Sequence, residues 1–435
     1  MGANPPSTRG QRFSWCLFDF ASSAFSTIII TFVYVTFFDK VLVGDYGGVE
    51  GDGFGEALWG WSLAIAGIAM AVVSPVLGSI ADRRGWRRRF LVVTTLIAVG
   101  GSALLFFPST PGSGLAIWSA FAIVIVSNVA AEVTFVFYNA FLPHLGDKHT
   151  VGRLSGYGWA LGYVGGLLCL VIALGFVGVD GFGPWLPTED HVNVRATCLL
   201  VAGWFLVFSL PMFLFVHEPP PEKRPGHGGV RAVLRTVSHL REYPDLLRLF
   251  VARLFYNDAL MAIIGLAALF MGETLGMDSG QTIQVAIWLN VAAGLGAFGF
   301  GFLDDRVGAR KVVILSLVLL TGGAILAFAK PTVAAFWIAA TMIGIGMGPN
   351  QSASRTMLSR MIAPSRSAEF YGFFALSGKA TVWIGPGLFA LIRPHVEDQR
   401  VAFLPILVLF VIGFVLVLGV DEQRGIERAE AADAP

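Results

Sequence analysis

The chain has 435 residues, 55% hydrophobic and only 14% charged, against roughly 25% charged in an ordinary soluble domain. That composition excludes a soluble globular protein and points to one that crosses a membrane. The formal net charge of +1 identifies no partner, and nucleic acid is not expected among them.

An apolar run of about 20 residues lets a helix cross ~30 Å of hydrocarbon. Twelve such spans can be marked: 14–42, 56–80, 90–108, 115–141, 154–178 and 197–216, then 249–272, 281–303, 312–329, 333–358, 369–392 and 401–420. The segment MGANPPSTRGQR lacks the layout of a cleavable signal, and the run after it is too long for one, so it stays as span 1. Most of the 30 Lys and Arg residues fall on the side that carries both termini, which places both termini in the cytosol. Cys16, Cys169 and Cys198 all lie inside spans, with no metal-type or paired spacing, and read as packing residues.

Two loops read almost alike. GSIADRRGWRRR after span 2 and GFLDDRVGARKV after span 8 match at one constant offset. Gly78, Asp82, Arg83, Gly85, Arg87 and Arg88 correspond to Gly301, Asp305, Arg306, Gly308, Arg310 and Lys311. A second echo joins spans 5 and 11, where Gly156 and Gly162 line up with Gly372 and Gly378. The fold expected is an all-α membrane protein of twelve transmembrane helices in two pseudo-symmetric six-helix bundles. The bundles are residues 1–216 and 249–420, joined by a cytosolic linker over 217–248 with a short amphipathic helix, and residues 421–435 form a cytosolic tail. An Asp at the end of span 2 can cap a neighbouring helix N-terminus and pair with the basic residues after it, holding the inner side shut. Gly85 and Gly308 permit the tight turn. Positive-inside anchoring alone also accounts for the Arg run.

At these residues the sequence resembles the major facilitator superfamily, whose loop between helices 2 and 3 has the form G-x-x-x-D-R-x-G-R-R. A narrower resemblance lies in WCLFDFASSAF, FYNAFLP with RLSGYGWALGYVGGLL, and RLFYNDAL with AEFYGFFALSGK. These are similar to the vacuolar-effluxer-like branch, the fungal autophagy-related amino-acid effluxers and their bacterial relatives. The resemblance implies alternating access between two bundles, with binding between the halves near the midplane, and amino acids as the substrate precedent of the fungal members. Two departures stand out. Span 4 has Glu132 where many superfamily antiporters carry an Arg, and the Gly-Pro signature of antiporter helix 5 is absent, while Gly385-Pro386 sits in span 11.

Ionisable residues inside spans are costly and usually face a cavity or a partner. Away from span ends they are Asp19, Glu132, Arg253, Asp258, Arg355 and Lys379. Spans 3, 6, 9 and 12, the lipid-facing ones in the superfamily, hold none. By helical rise Asp19 lies about 7 Å, and Arg355 about three residues, inside the cytosolic end, while Glu132, Asp258 and Lys379 lie about nine or ten residues deep. Asp258 and Lys379, opposite in sign and similar in depth, are expected either to lock spans 7 and 11 together or to yield one partner to a substrate. Glu132 has no basic neighbour on its own helix and is the leading candidate for protonation; the alternative is a neutral acid hydrogen-bonded nearby. Asp19 reads as a gate or cavity-mouth residue, or as an interfacial charge satisfied by water or a helix end. Asn128, Tyr138, Asn139, Tyr256, Asn257, Asn290, Asn350 and Gln351 are candidate cavity groups, since amides that donate and accept suit a zwitterion; they can equally glue helices together.

Gly294-Leu-Gly296-Ala-Phe-Gly299 matches the dinucleotide fingerprint in letters, but it lies in a membrane span with no preceding strand. Close helix packing explains it better, as it does Gly158 and Gly162, or Gly344 and Gly348. No cofactor, metal or enzyme activity is expected. The function expected is secondary active transport of a small polar solute, an amino acid or related metabolite, with protons as the candidate coupling ion through Glu132 or Asp258. The alternatives are an exporter of amphipathic compounds or lysolipids and, from another class, a non-transporting solute sensor. The expected partners are a small-molecule substrate, membrane lipid and protons. A multi-pass monomer is expected, in the cytoplasmic membrane if the source is bacterial.

Overall fold

A computed structural model of the chain describes residues 7–44, 46, 53–178, 183–218 and 229–433. Among the described residues every regular element is helical. Helices 1 to 6 are Arg9–Val43, Phe54–Arg84, Arg87–Leu104, Gly114–Ala140, Val151–Val177 and Val192–Phe215. Helices 7 to 10 are Pro244–Leu275, Ser279–Val307, Ala309–Ala329 and Val333–Met361, and helix 12 is Gln399–Leu418. Helix 11 comes in two pieces, 11a (Ser367–Lys379) and 11b (Ile384–Ile392). Among the described residues eleven spans are long and apolar enough to cross a membrane. Helix 3 completes the twelve; its 18 residues open on three arginines, which lowers its hydropathy without shortening it.

A backbone in hydrocarbon must satisfy its own hydrogen bonds, which is why these runs fold as helices. Their starts are written locally. Thr8 and Gln11 close a capping box at helix 1, as Asp278 and Gln281 do at helix 8. Ser113 and Thr332 cap helices 4 and 10. Because of its cap, helix 1 begins at Arg9, earlier than expected, and helix 7 begins at Pro244 rather than 249. Helix 1 changes to π-helical geometry over Phe25–Phe32 and Phe38–Val43, which rotates its outer part relative to the rest.

Helix 11, expected as one span, is interrupted over residues 380–383. Pro386 lies in the first turn of 11b, where its missing N–H removes no helix bond. The expected linker contains a helix at Val230–His239, which rests on helix 2; residues 219–228 and the last two of the tail lie outside the described residues. The tail forms a helix over Glu422–Asp433 and reaches Lys148 through Glu430, and Ser7 donates to the Leu145 carbonyl, so the first and last described segments lie on one face, called here the terminal face.

Helices 2 and 11, and helices 5 and 8, pack against each other across the halves. Helices 3, 6, 9 and 12 leave apolar faces open, among them Val93, Val207, Val318 and Val408, as lipid-facing helices do. All three cysteines are buried and free.

Candidate functional site

The two sequence echoes turn out to be the two sides of one contact, made twice. Asp82, at the end of helix 2, accepts hydrogen bonds from the backbone N–H groups of Ala368 (3.1 Å) and Glu369 (2.8 Å), the first turn of helix 11a. Asp305, at the end of helix 8, accepts from Gly152 (2.8 Å) and Arg153 (3.2 Å), the first turn of helix 5. Each carboxylate thus caps a helix N-terminus of the other half, where orphan donors and the helix dipole both favour negative charge. The matched glycines allow the approach. Gly301 lies against Gly156, and a side chain on Gly372 would run into the backbone of Pro75.

Arg87 donates to Asp82 at 2.7 Å and stands 2.7 Å from His144 and 3.1 Å from the carbonyl of Pro364. Gly85 turns the chain in the left-handed region at φ 64°, and Gly308 does so at φ 92°. Arg88 reaches the carbonyl of Phe213, as Arg310 reaches that of Leu418. Arg83 faces a small polar pocket under the linker helix, and Arg306 is exposed. Two acids of this network escaped the sequence reading. Glu218 accepts from the N–H groups of Arg87 and Arg88, and Glu422 from those of Ala309 and Arg310. The signal was a third echo, Val216-His217-Glu218 after span 6 and Val420-Asp421-Glu422 after span 12.

Closer to the centre, Asp19 of helix 1 and Arg355 of helix 10 form a buried ion pair of 3.2 Å across the halves. Tyr138 donates to the same carboxylate oxygen at 2.7 Å. The guanidinium also donates to Asn139 at 3.1 Å, to the Ser155 hydroxyl at 2.9 Å and to its carbonyl at 2.7 Å, and it stacks near Trp15. One side chain of the second half is therefore held by helices 1, 4 and 5 of the first. This corrects the expectation of a shallow Asp19 satisfied by water: with helix 1 starting at Arg9, Asp19 lies about 15 Å along it by helical rise.

The expected Asp258–Lys379 pair does not form. Lys379, the last residue of 11a, pairs with Glu132 of helix 4 at 2.8 Å, so Glu132 is not partnerless; its partner comes from the other half, which a search along its own helix cannot find. Asp258 instead accepts from the N–H of Gly385 at 3.1 Å, in the first turn of 11b. The break explains both: a cation at the C-terminal end of 11a and a carboxylate at the N-terminus of 11b each sit where the helix dipole favours them. Asn257 donates to the carbonyl of Gly378 at 2.6 Å and accepts from Gln351 at 3.0 Å, tying helices 7, 10 and 11a together beside the break. Lys379 and Glu132 are 42% and 31% exposed, and such a pair contributes about 1 kcal/mol or less. Arg253, one turn before Asn257, is buried with two guanidinium nitrogens unpartnered.

Other candidates fall elsewhere. Tyr256 bonds Ser354 and Asn350 bonds Ser316, both inside the second half, so they hold that bundle together and do not face the gap. Asn128 is half-buried one turn from Glu132. Asn290 bonds its own helix at Ala286 and lines a separate groove of about 800 Å³ between helices 1, 5 and 8. That groove is apolar along Leu161, Val164 and Phe298 and ends at Arg9, Arg12 and Arg153. Among the fingerprint glycines, Gly296 packs on helix 10 whereas Gly299 faces open space.

Residues 147–430 match the family described as Vacuole effluxer Atg22 like, and residues 4–170 match the Major Facilitator Superfamily. The chain belongs to the Atg22-like effluxer family. It is 26% identical to the MFS-type transporter YxiO of Bacillus subtilis over 97% of both chains. It is 25% identical to Autophagy-related protein 22-1 of Penicillium rubens, over 65% of this chain and 51% of that one. The fold is shared with the proton:xylose symporter XylE (TM-score 0.74, 13% identity, 97% and 98% of the two chains). It is shared also with FucP in its outward conformation (TM-score 0.73, 13% identity, 95% and 100%). This Atg22-like chain is therefore a multi-pass membrane protein of a transporter family and not an enzyme.

Proposed function

We propose that this Atg22-like protein is a secondary active transporter that moves a small polar solute, an amino acid or related metabolite, by alternating access. The observation that carries the reading is the half-exposed Glu132–Lys379 pair, which spans the two halves at the break of helix 11, beside Asn257 and Gln351. Charges and amides on opposite halves can engage a solute's ammonium and carboxylate at once, and such a solute links its own binding to the halves' movement. The terminal face is the cytosolic one, and the Asp82, Asp305 and Asp19–Arg355 contacts are its gate, closed in this state. Opening it breaks all three while the far side closes. Protonation of Glu132 neutralises the carboxylate and releases Lys379, which ties a proton to the cycle. The protein acts as a monomer, in the cytoplasmic membrane if bacterial.

Proteoliposomes under imposed solute and pH gradients test this. Amino-acid flux is expected. In Glu132→Gln the pH-driven flux should be lost while solute exchange persists; unchanged driven flux removes Glu132 from coupling, and no movement of any amino acid, peptide or related metabolite removes the substrate class. The apolar groove with arginines at one end favours a second reading, export of amphipathic compounds or lysolipids. Lysolipid flux in the same vesicles, with none of amino acids, decides for it.

A further inference from the structure

Arg253 is the one group of the break region whose chemistry the contacts above do not use. It is 7% exposed, and its Nε and one terminal nitrogen are buried with no partner. Its guanidinium carbon lies 3.6 Å from the ring centroid of Phe374 on helix 11a. A Cβ placed on Gly378 would stand 2.8 Å from Nη2, so the fork lies against the backbone one residue before Lys379. A guanidinium stays charged at any physiological pH and cannot escape burial by losing its proton. Removing it from water without an anion is costly, and breaking a buried charge pair on one side is among the largest single destabilisations known. A tight stack on Phe374 orients the planar fork but supplies no negative charge. Asn257, one turn along the same helix, spends its side chain on Gly378 and Gln351 and makes no hydrogen bond to the guanidinium.

We propose that Arg253 is the carboxylate anchor of the transported solute. Its planar fork binds the carboxylate, and Glu132 is free to take an ammonium once Lys379 turns to the solute. The solute is then a zwitterionic amino acid. This assignment rests on the transport reading given above. Gly378 is part of it, because a Cβ there would push the fork from its present place.

The test uses the full-length protein in detergent. Its thermal midpoint is titrated with L-amino acids, the matching amino-acid amides, and chloride and phosphate at matched ionic strength. At least one amino acid is expected to stabilise the protein and its amide not to. Arg253→Gln should raise the half-saturating concentration about a hundredfold, the scale of losing one side of a buried charge pair. Arg253→Lys should recover part of that, and Gly378→Ala, which displaces the fork but keeps it, should cost about tenfold. The assignment fails if Arg253→Gln keeps the wild-type half-saturation, if an amide protects as well as its acid, or if chloride or phosphate does. If Arg253→Gln does not fold, unchanged half-saturation in Arg253→Lys and Gly378→Ala overturns it equally. Should nothing in the panel protect, the carboxylate anchor is wrong, and flux of uncharged polar solutes into proteoliposomes decides separately whether the transport reading stands.

Discussion

The two capping contacts of the terminal face share a backbone plan and differ in one side chain. At helix 5 the residue after the capped glycine is Arg153, which turns back and donates to Asp305 at 2.7 Å. At the matching place in helix 11a stands Glu369, which cannot pair with an aspartate. Asp82 therefore takes its cation from its own half, through Arg87. Glu369 turns away to Arg366 and to Thr236 of the linker helix. One repeat thus joins the halves by an ion pair and caps, and the other by caps and the Arg87 hydrogen bond to the Pro364 carbonyl, spending the side chain of Glu369 on the linker. Duplication preserves the helix-end geometry because backbone donors are present whatever the side chain; the charge beside it is free to diverge.

Asp305→Asn breaks this comparison hardest. Its carboxylate serves two backbone donors, Arg153, and Arg360 at 3.6 Å. An amide presents a donor to one of them and no charge to the arginines. A loss of about 2–4 kcal/mol in the closed state is expected, read as wider label-to-label distances across the terminal face. Asp82→Asn should move them less, because the Arg87 charge it strands lies within one half. Equal shifts would mean that the caps, and not the ion pair, set the balance.

Arg153→Gln isolates the ion pair. It leaves both backbone caps of Asp305 in place, and Arg153 is 41% exposed, so solvent screens the interaction to about 1 kcal/mol or less. The expected result is a modest opening that high salt mimics in the wild type. A shift as large as that of Asp305→Asn would assign the whole contact to the side-chain pair.

Spans, halves and the capping aspartates were legible because they are local patterns: apolar runs, and loops repeated at a constant offset. The Glu132–Lys379 pair was not, since depth along separate helices says nothing of which faces meet, and Asp258 at similar depth to Lys379 looked the better partner. The interruption of helix 11 hid for a related reason. Gly385-Pro386 is visible in sequence, but residues 380–383 are apolar enough to pass as helix, and what stabilises the break, Asp258 on the N–H of Gly385 in the first turn of 11b, lies on another helix. Glu218 and Glu422 stood just beyond the spans, where a search for charges inside the membrane does not look.

The smallest expected effect falls on Glu369, and it sharpens the comparison most. If its side chain serves the linker and not the gate, Glu369→Gln should leave the distances across the terminal face unchanged within error. The backbone N–H of Glu369, which Asp82 caps at 2.8 Å, survives the substitution. The amide keeps a hydrogen bond to Thr236 but gives up the 3.2 Å ion pair with Arg366, which is largely buried. That loss should appear as faster proteolysis at the arginines of the linker helix, Arg231 and Arg235. Gate distances that widen with no change in cleavage would reverse the assignment: the acid would then be acting on Asp82 through the helix 11a terminus, and the two repeats would differ in sign at the gate itself.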